Sequence, residues 1–157
     1  DRVDRPECKA LSEAHASSFA LSPFALLPLS MPRTLALRIA TLPRDTNHYG
    51  TIFGGIILAY IDQAGFVQAR KHGAHRWVTA SLDRVDFKAP VHVGDIINLY
   101  TTTIREGTKS VTIAVEVEAE RFTTGQCVPV TSAQSVLVSV DAHGTPIAFR
   151  SPPTVHE

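Results

Sequence analysis

The chain has 157 residues, a length that suits one domain, and 44% of them are hydrophobic, enough for a real core. Fifteen Lys plus Arg balance fifteen Asp plus Glu, so the formal charge is zero, which argues against a nucleic-acid binder with a strong basic field. Cys8 and Cys127 stand far apart and form no CxxC, which predicts no disulfide framework and no zinc site and reads as a reduced, cytoplasmic protein; no apolar run reaches the length of a membrane-spanning helix.

The chain opens on Asp1 and its only methionine is Met31. Either the sequence is a fragment of a longer one, or residues 1–32 read as an extension outside the fold: a leader, a translated upstream region or an artificial remnant. Asp1, Asp4 and Glu7 work against the basic start of a signal peptide. The folded domain is expected over 33–150, and a loose tail over 151–157.

Residues 34–41 alternate loosely and predict a first strand. A loop rich in Pro, Asp, Asn and Gly follows over 43–50. The run 54–72 predicts a long helix that stops at Gly73. A second strand is expected over 77–87, with Pro90 and Gly94-Asp95 punctuating the connection to a third over 96–105. Glu106-Gly107-Thr108 reads as a hairpin turn. In the fourth strand Val111, Ile113, Val115, Val117 and Ala119 alternate with Thr112, Ala114, Glu116, Glu118 and Glu120. That period of two puts one face in the core and an acidic face in solvent. A fifth strand is expected over 128–140, with Pro129 confining its first residues to an edge or a bulge. Short connections make antiparallel neighbours, so the class is α+β: one long helix wrapped by a curved, five-stranded antiparallel sheet whose edges a dimer would hide.

Asp62 is the only charged side chain between Phe53 and Ala69. A helix apolar nearly all round reads as buried, and a buried carboxylate needs partners or a chemical task. Gly54 and Gly55 open the same helix, where free backbone N–H groups suit a developing negative oxygen. The two parts together point to acyl chemistry.

The segment Asp45-Thr46-Asn47-His48-Tyr49-Gly50-Thr51-Ile52-Phe53-Gly54-Gly55, followed by Asp62, resembles the signature of hot-dog-fold acyl-CoA thioesterases, nearest the bacterial YciA-type and cytosolic acyl-CoA hydrolase group. The stretches from Thr79 to Phe87, Pro90 to Asp95 and Gly107 to Val111 are similar to that family too, so the likeness runs over about residues 35–149. It implies a hot-dog fold, hydrolysis of acyl-CoA to free acid and CoA, and active sites shared between the protomers of a homodimer, with a hexamer built as a trimer of dimers. It implies that Asn47 and Asp62 are the catalytic pair. Many relatives carry His where this chain has Phe53. Some hot-dog enzymes place a Thr one turn after the carboxylate, where this chain has Phe66.

In such a site the Gly55 N–H would polarise the thioester carbonyl at the positive end of the helix, and Asp62 would activate water or attack directly. Gly55 and Asp62 are seven residues apart, on one helix face but about 10 Å apart along the axis. One carbonyl cannot reach both within one protomer, whereas two antiparallel helices about a two-fold axis would bring them together. Substrate contacts are expected from Phe53 and Gly54, with Arg84, Lys88, Thr108, Lys109 and Ser110 as candidates for CoA phosphates or pantetheine. No metal or organic cofactor is required. His72 and His75 have metal-pair spacing without a third ligand and read as exposed; His48 reads as a solvent-facing loop residue. Tyr60, Phe66 and Trp77 are candidates for shaping the acyl pocket. The alternatives are a non-catalytic acyl-CoA or acyl-lipid sensor, or a hydratase or dehydratase, which would need a His beside the carboxylate.

Overall fold

The structure, a computed structural model, describes residues 32–152. The expected extension and tail therefore lie, apart from their innermost residues, outside the described residues. The alternating apolar positions form five strands: β1 (Thr34–Ala40), β2 (Arg76–Asp83), β3 (Ile96–Glu106), β4 (Ser110–Glu120) and β5 (Cys127–Val140). The helix α1 (Gly54–Ala69) lies between β1 and β2 in the chain. The strands make one sheet in the order β1-β3-β4-β5-β2, antiparallel throughout.

Each of the four strand pairs carries one register shift. A bulge bends its strand and increases local twist, so these four let the sheet curl around α1. The concave face and the helix form one core, with Ile57 and Ile61 of α1 packed against Ile97, Leu99, Val115, Val117 and Leu137. Gly65 permits the close approach, because a Cβ there would lie 3.3 Å from Ser135 Oγ. Thr101 Oγ1 donates to Gln68 Oε1 (3.1 Å), and Gln68 Nε2 donates to Thr103 Oγ1 (3.1 Å), satisfying the polar groups between helix and sheet.

Four expectations need correction. The second strand ends at Asp83 rather than 87, because Arg84 takes a left-handed backbone (φ 59°) that no strand ladder tolerates. The α-helix ends at Ala69 and continues as a 3-10 turn (Arg70–His72); at Gly73, the expected stop, a Cβ would meet the His75 ring at 2.8 Å. The acidic face of β4 is not simply solvated: Arg33 donates to Glu116 (3.0 Å) and Glu118 (2.7 Å) and lies 3.9 Å over the Tyr100 ring, while Arg38 pairs with Glu120 (2.6 Å). Cys127 is disulfide-bonded, where no disulfide was expected.

Pro129 meets its expectation in a specific way. β5 is interior to the sheet, but β2 pairs only with its Gln134–Val140 portion. Pro129 sits beyond that, where the β4 ladder passes from Val117↔Thr131 to Glu118↔Pro129 and leaves Val130 as the bulged residue. The side of β5 that β2 leaves open is met instead by the Lys88 N–H, which donates to Val130 O (2.8 Å).

Candidate active site

The helix α1 has two unlike faces. Ile57, Ile61, Ala64, Gly65 and Gln68 are buried against the sheet. Gly55, Ala59, Asp62, Gln63, Phe66 and Val67 are exposed, so the helix buried on all sides that the apolar pattern predicted is covered on one side only. Asp62 is therefore an exposed carboxylate within the protomer, not a buried one. Gly55 and Asp62 do share a face, as their spacing required.

Asp62 has one partner that its sequence neighbourhood did not predict. Thr79 Oγ1 of β2 donates to Asp62 Oδ1 at 2.5 Å. Thr79 stands two residues from the buried Trp77 on the helix side of the edge strand. It lies in a stretch quoted above for its resemblance, but a contact across 17 residues and two elements leaves no local signal.

At the other end of the face, α1 starts without a side-chain cap on Phe53. The amides of Gly54 and Gly55 have no acceptor among the described residues, which leaves two N–H donors and the positive end of the helix dipole open. A Cβ on Gly55 would press on the Phe53 ring at 3.1 Å, whereas one on Gly54 would make ordinary contact with Phe87 at 3.6 Å. A side chain at 55 would thus have to displace the exposed Phe53 ring, whereas one at 54 would not.

Asn47 sits in the loop that leads into this start. Its Oδ1 accepts from the Tyr49 and Thr51 amides (2.9 and 3.3 Å), and its Nδ2 donates to Thr51 Oγ1 (2.9 Å). An amide nitrogen has two hydrogens; the second has no partner among the described residues. The turn is anchored from behind: Ile52 N–H donates to Val91 O (2.8 Å), and Thr51 bridges His92. Asp95 in turn holds that segment, accepting from the His92 amide (3.0 Å), the Arg121 guanidinium (2.5 Å) and the Phe122 amide (3.2 Å). Burial alone would raise the Asp95 pKa, but these donors outweigh it and hold the carboxyl below its ordinary value. Asp95 was expected only in a punctuated connection and in the stretch from Pro90 that is similar to the family; its burial at 3% exposure was not legible in the sequence.

The remaining candidates do not gather at one place. Phe53, Gly54 and Lys88 lie at the start of α1. Thr108, Lys109 and Ser110 lie in the β3–β4 turn, at the end of the sheet where Thr103 meets Gln68 and His72 near the end of α1. Arg84 lies at the left-handed turn after β2. Among the described residues of one protomer, then, the proposed phosphate contacts of the 108–110 turn and the open amides of Gly54 and Gly55 are at opposite ends of the helix.

Three aromatic and histidine readings change. Trp77 is buried at the far end, donating from Nε1 to Gly73 O (3.1 Å) and packing on Phe149, so it does not shape a pocket near Gly55. His75 is buried beside Trp77, and His72 is half-buried, 2.9 Å from Thr103 Oγ1 and 3.5 Å from Glu106; neither is the exposed residue expected. No group of three or more His, Cys, Asp or Glu among the described residues could hold a metal. His48 is exposed and its ring lies against that of Tyr49, tilted by 42°, as expected of a loop histidine. No helix among the described residues is long and apolar enough to cross a membrane.

Comparison with known proteins agrees with this geometry. Residues 49–125 match the thioesterase superfamily. The acyl-CoA thioester hydrolase YciA of Escherichia coli is 36% identical over 118 residues, which span 73% of this chain and 89% of the relative. The hexameric hotdog-fold thioesterase of Campylobacter jejuni superposes with a TM-score of 0.69 at 43% identity, over 73% of this chain and 89% of that one. An acyl-CoA hydrolase from Staphylococcus aureus, solved with butyryl coenzyme A, superposes with a TM-score of 0.66 at 30% identity, over 76% and 72%. With a single helix held in a curved five-stranded antiparallel sheet, the chain belongs to the hot-dog thioesterase family, among its acyl-CoA thioester hydrolases.

Proposed function

We propose that this protein hydrolyses acyl-CoA thioesters to a free carboxylic acid and CoA, in active sites made by two copies of the chain. One observation carries the reading. Gly55 and Asp62 lie on the same uncovered face of α1, the first with an amide that has no acceptor among the described residues and the second with a carboxylate. Along the helix they are about 10 Å apart, too far to serve one carbonyl, so the partner's helix must supply the second group.

The uncovered surface supports a second copy there. Phe66 (44% exposed) and Val67 on α1 lie on the face that also carries Asp62, and Val78 is exposed on the edge strand β2. A two-fold pairing through that edge and face would bury these groups and give two equivalent sites. The hexameric state of the Campylobacter jejuni neighbour supports a trimer of such dimers. It would also allow the 108–110 turn of one protomer to reach a CoA held at the α1 start of another.

In each site the Gly55 N–H donates to the thioester oxygen as negative charge builds on it. Asp62, oriented by Thr79, takes a proton from water or attacks the carbonyl. Asn47 supplies its remaining N–H to the carbonyl or the water. Phe53 and Gly54 bound the reacting end, and Lys109, Ser110, Thr108, Arg84 and Lys88 are the groups proposed to meet phosphate and pantetheine. The chemistry needs no metal or cofactor. The compartment proposed is the cytoplasm, which supplies acyl-CoA. A hydratase is disfavoured because His48 contacts Tyr49 rather than Asp62.

Incubating the protein with a panel of acyl-CoAs and a thiol reagent tests the reading. Stoichiometric release of CoA is expected. Tight binding without release would instead describe a sensor, and a change in enoyl absorbance without release would describe a hydratase.

A further inference from the structure

Asn47 and Thr51 face each other across the tight loop that precedes α1. The Asn47 backbone amide donates to Thr51 O (2.8 Å), and the Gly50 amide closes the turn on Asn47 O (3.1 Å). Gly50 takes the positive φ (81°) that this reversal needs. A bridge between Thr46 and Ile52 flanks the pair. Thr51 is also held from a second side, without help from Asn47: it bridges His92, and the next residue, Ile52, donates to Val91 O (2.8 Å). The threonine is a fixed point, and the asparagine side chain is hung on it.

The hydrogen bonds divide the capacity of the Asn47 amide. Its Oδ1 accepts from the Tyr49 and Thr51 backbone amides (2.9 and 3.3 Å). An amide oxygen has two lone pairs, so both are taken, and the side chain can act on a bound molecule only as a donor. The torsion that turns an asparagine amide is broad and weakly restricted, so bonds to the oxygen hold only one end of the group. Thr51 Oγ1 holds the other end by accepting from Nδ2 at 2.9 Å. The two hydrogens of an amide nitrogen are fixed in the amide plane. With one of them on Thr51, the direction of the other is set, and it has no acceptor among the described residues. Threonine suits the position twice over: its branched carbon fits the extended bridge to His92, and its hydroxyl supplies the acceptor. Valine would reproduce only the first.

We propose that Thr51 is a positioning residue for thioester hydrolysis: its hydroxyl takes one Nδ2 hydrogen of Asn47 and so aims the other at the reacting group. The proposal rests on the acyl-CoA reading above and on the place that reading gives Asn47. It adds a residue to the machinery and restricts Asn47 to donation. A donor held in place before the reaction costs no reorganisation as charge builds on the thioester, so the effect belongs to the transition state rather than to binding.

The test compares kcat, KM and the melting temperature of the full chain with those of Thr51→Val, Thr51→Ala and Thr51→Ser, using one acyl-CoA that the unaltered protein hydrolyses. Kinetics are read well below every melting temperature, so that only folded enzyme is compared. Thr51→Val should lower kcat about tenfold, the loss of one hydrogen bond, with KM changed less than about twofold. Thr51→Ala should show the same loss, and Thr51→Ser should restore most of kcat. Thr51→Val that melts earlier but turns over at the unaltered rate would make Thr51 a loop stabiliser and overturn the proposal, leaving the hydrolase reading intact. A loss in Thr51→Ser as large as in Thr51→Val would also overturn it, because the hydroxyl would not be what matters. Failure of the unaltered protein to release CoA from any acyl-CoA would overturn the hydrolase reading and the role of Thr51 with it. Should Thr51→Val fail to fold, the contrast between Thr51→Ala and Thr51→Ser decides.

Discussion

Thr79 Oγ1 donates to Asp62 Oδ1 at 2.5 Å, tying the one carboxylate of α1 to the edge strand β2. The hydrogen bond fixes the rotamer of Asp62 and leaves Oδ2 without a partner among the described residues. Under the proposed mechanism Thr79 is thereby a positioning residue. Thr79→Val keeps the shape and removes the donor, and should lower kcat about tenfold, the equivalent of one hydrogen bond to a charged group. KM should change less than about twofold, and Thr79→Ser should restore most of kcat. Wild-type kcat in Thr79→Val would reduce the contact to packing.

Asp62 itself should be dispensable for folding and indispensable for turnover. Its side chain is exposed in the protomer, so Asp62→Asn should alter stability by no more than about 0.5 kcal/mol. The loss of kcat should be at least about 100-fold. Thermal melting and steady-state kinetics on the same preparation separate the two effects, and near-normal turnover would remove Asp62 from the chemistry.

The parts of this protein that the sequence made legible are those set by local period. The alternation of Val111, Ile113, Val115, Val117 and Ala119 fixed both β4 and its buried face. The apolar run from Gly54 fixed α1, but not its exposure. An apolar face left open on the protomer reads the same as one facing the core, because the hydrophobic pattern does not say what covers it. Thr79 and Asp95 act through contacts that span strand, helix and loop, so no window of sequence shows them. The end of β2 was misjudged because nothing about Arg84 as a residue type announces a left-handed backbone; β-rich composition simply continued through Phe87.

Asp95 should make the Asn47 loop sensitive to acid. Its carboxyl is held below the ordinary value near 3.8, so its contribution to stability is complete above that value and is lost as pH falls through the lower, folded value. Asp95→Asn should destabilise the protein by about 2–3 kcal/mol at pH 7, since Arg121 loses its anion and two backbone amides lose a charged acceptor. The gap between variant and parent should narrow as both are taken below pH 4. Denaturant melts at several pH values read this directly; a gap that stays constant into acid would show that the charge of Asp95 is not what stabilises the loop.

Lys109 lies in the β3–β4 turn, exposed and distant from its own Gly55. If it meets a CoA phosphate from another protomer, it contributes to ground-state and transition-state binding alike. Lys109→Ala should then raise KM for acyl-CoA about tenfold with kcat little changed, and the effect should shrink as salt screens the phosphate. A KM that is unchanged and insensitive to salt would take Lys109 out of the CoA site.

Assembly of one site from two chains can be tested by mixing two inactive proteins. Asn47→Ala and Asp62→Ala should each be inactive alone. Asn47 precedes the start of α1 and Asp62 lies beyond its first two turns, so in the proposed dimer the site built on one chain's Gly55 would use that chain's Asn47 and its partner's Asp62. In a dimer of one Asn47→Ala chain and one Asp62→Ala chain, one site carries both lesions and the other carries neither. The isologous symmetry of such a pair then gives about half of wild-type activity per mixed dimer. Random exchange of equal amounts makes about half of all dimers mixed, so the refolded mixture should recover about one quarter of wild-type activity. Exchange can be followed independently with a charge or size tag on one variant. Proven exchange without recovery would mean that Asn47 and Asp62 act within a single protomer, and the inference drawn from the separation of Gly55 and Asp62 along α1 would fall.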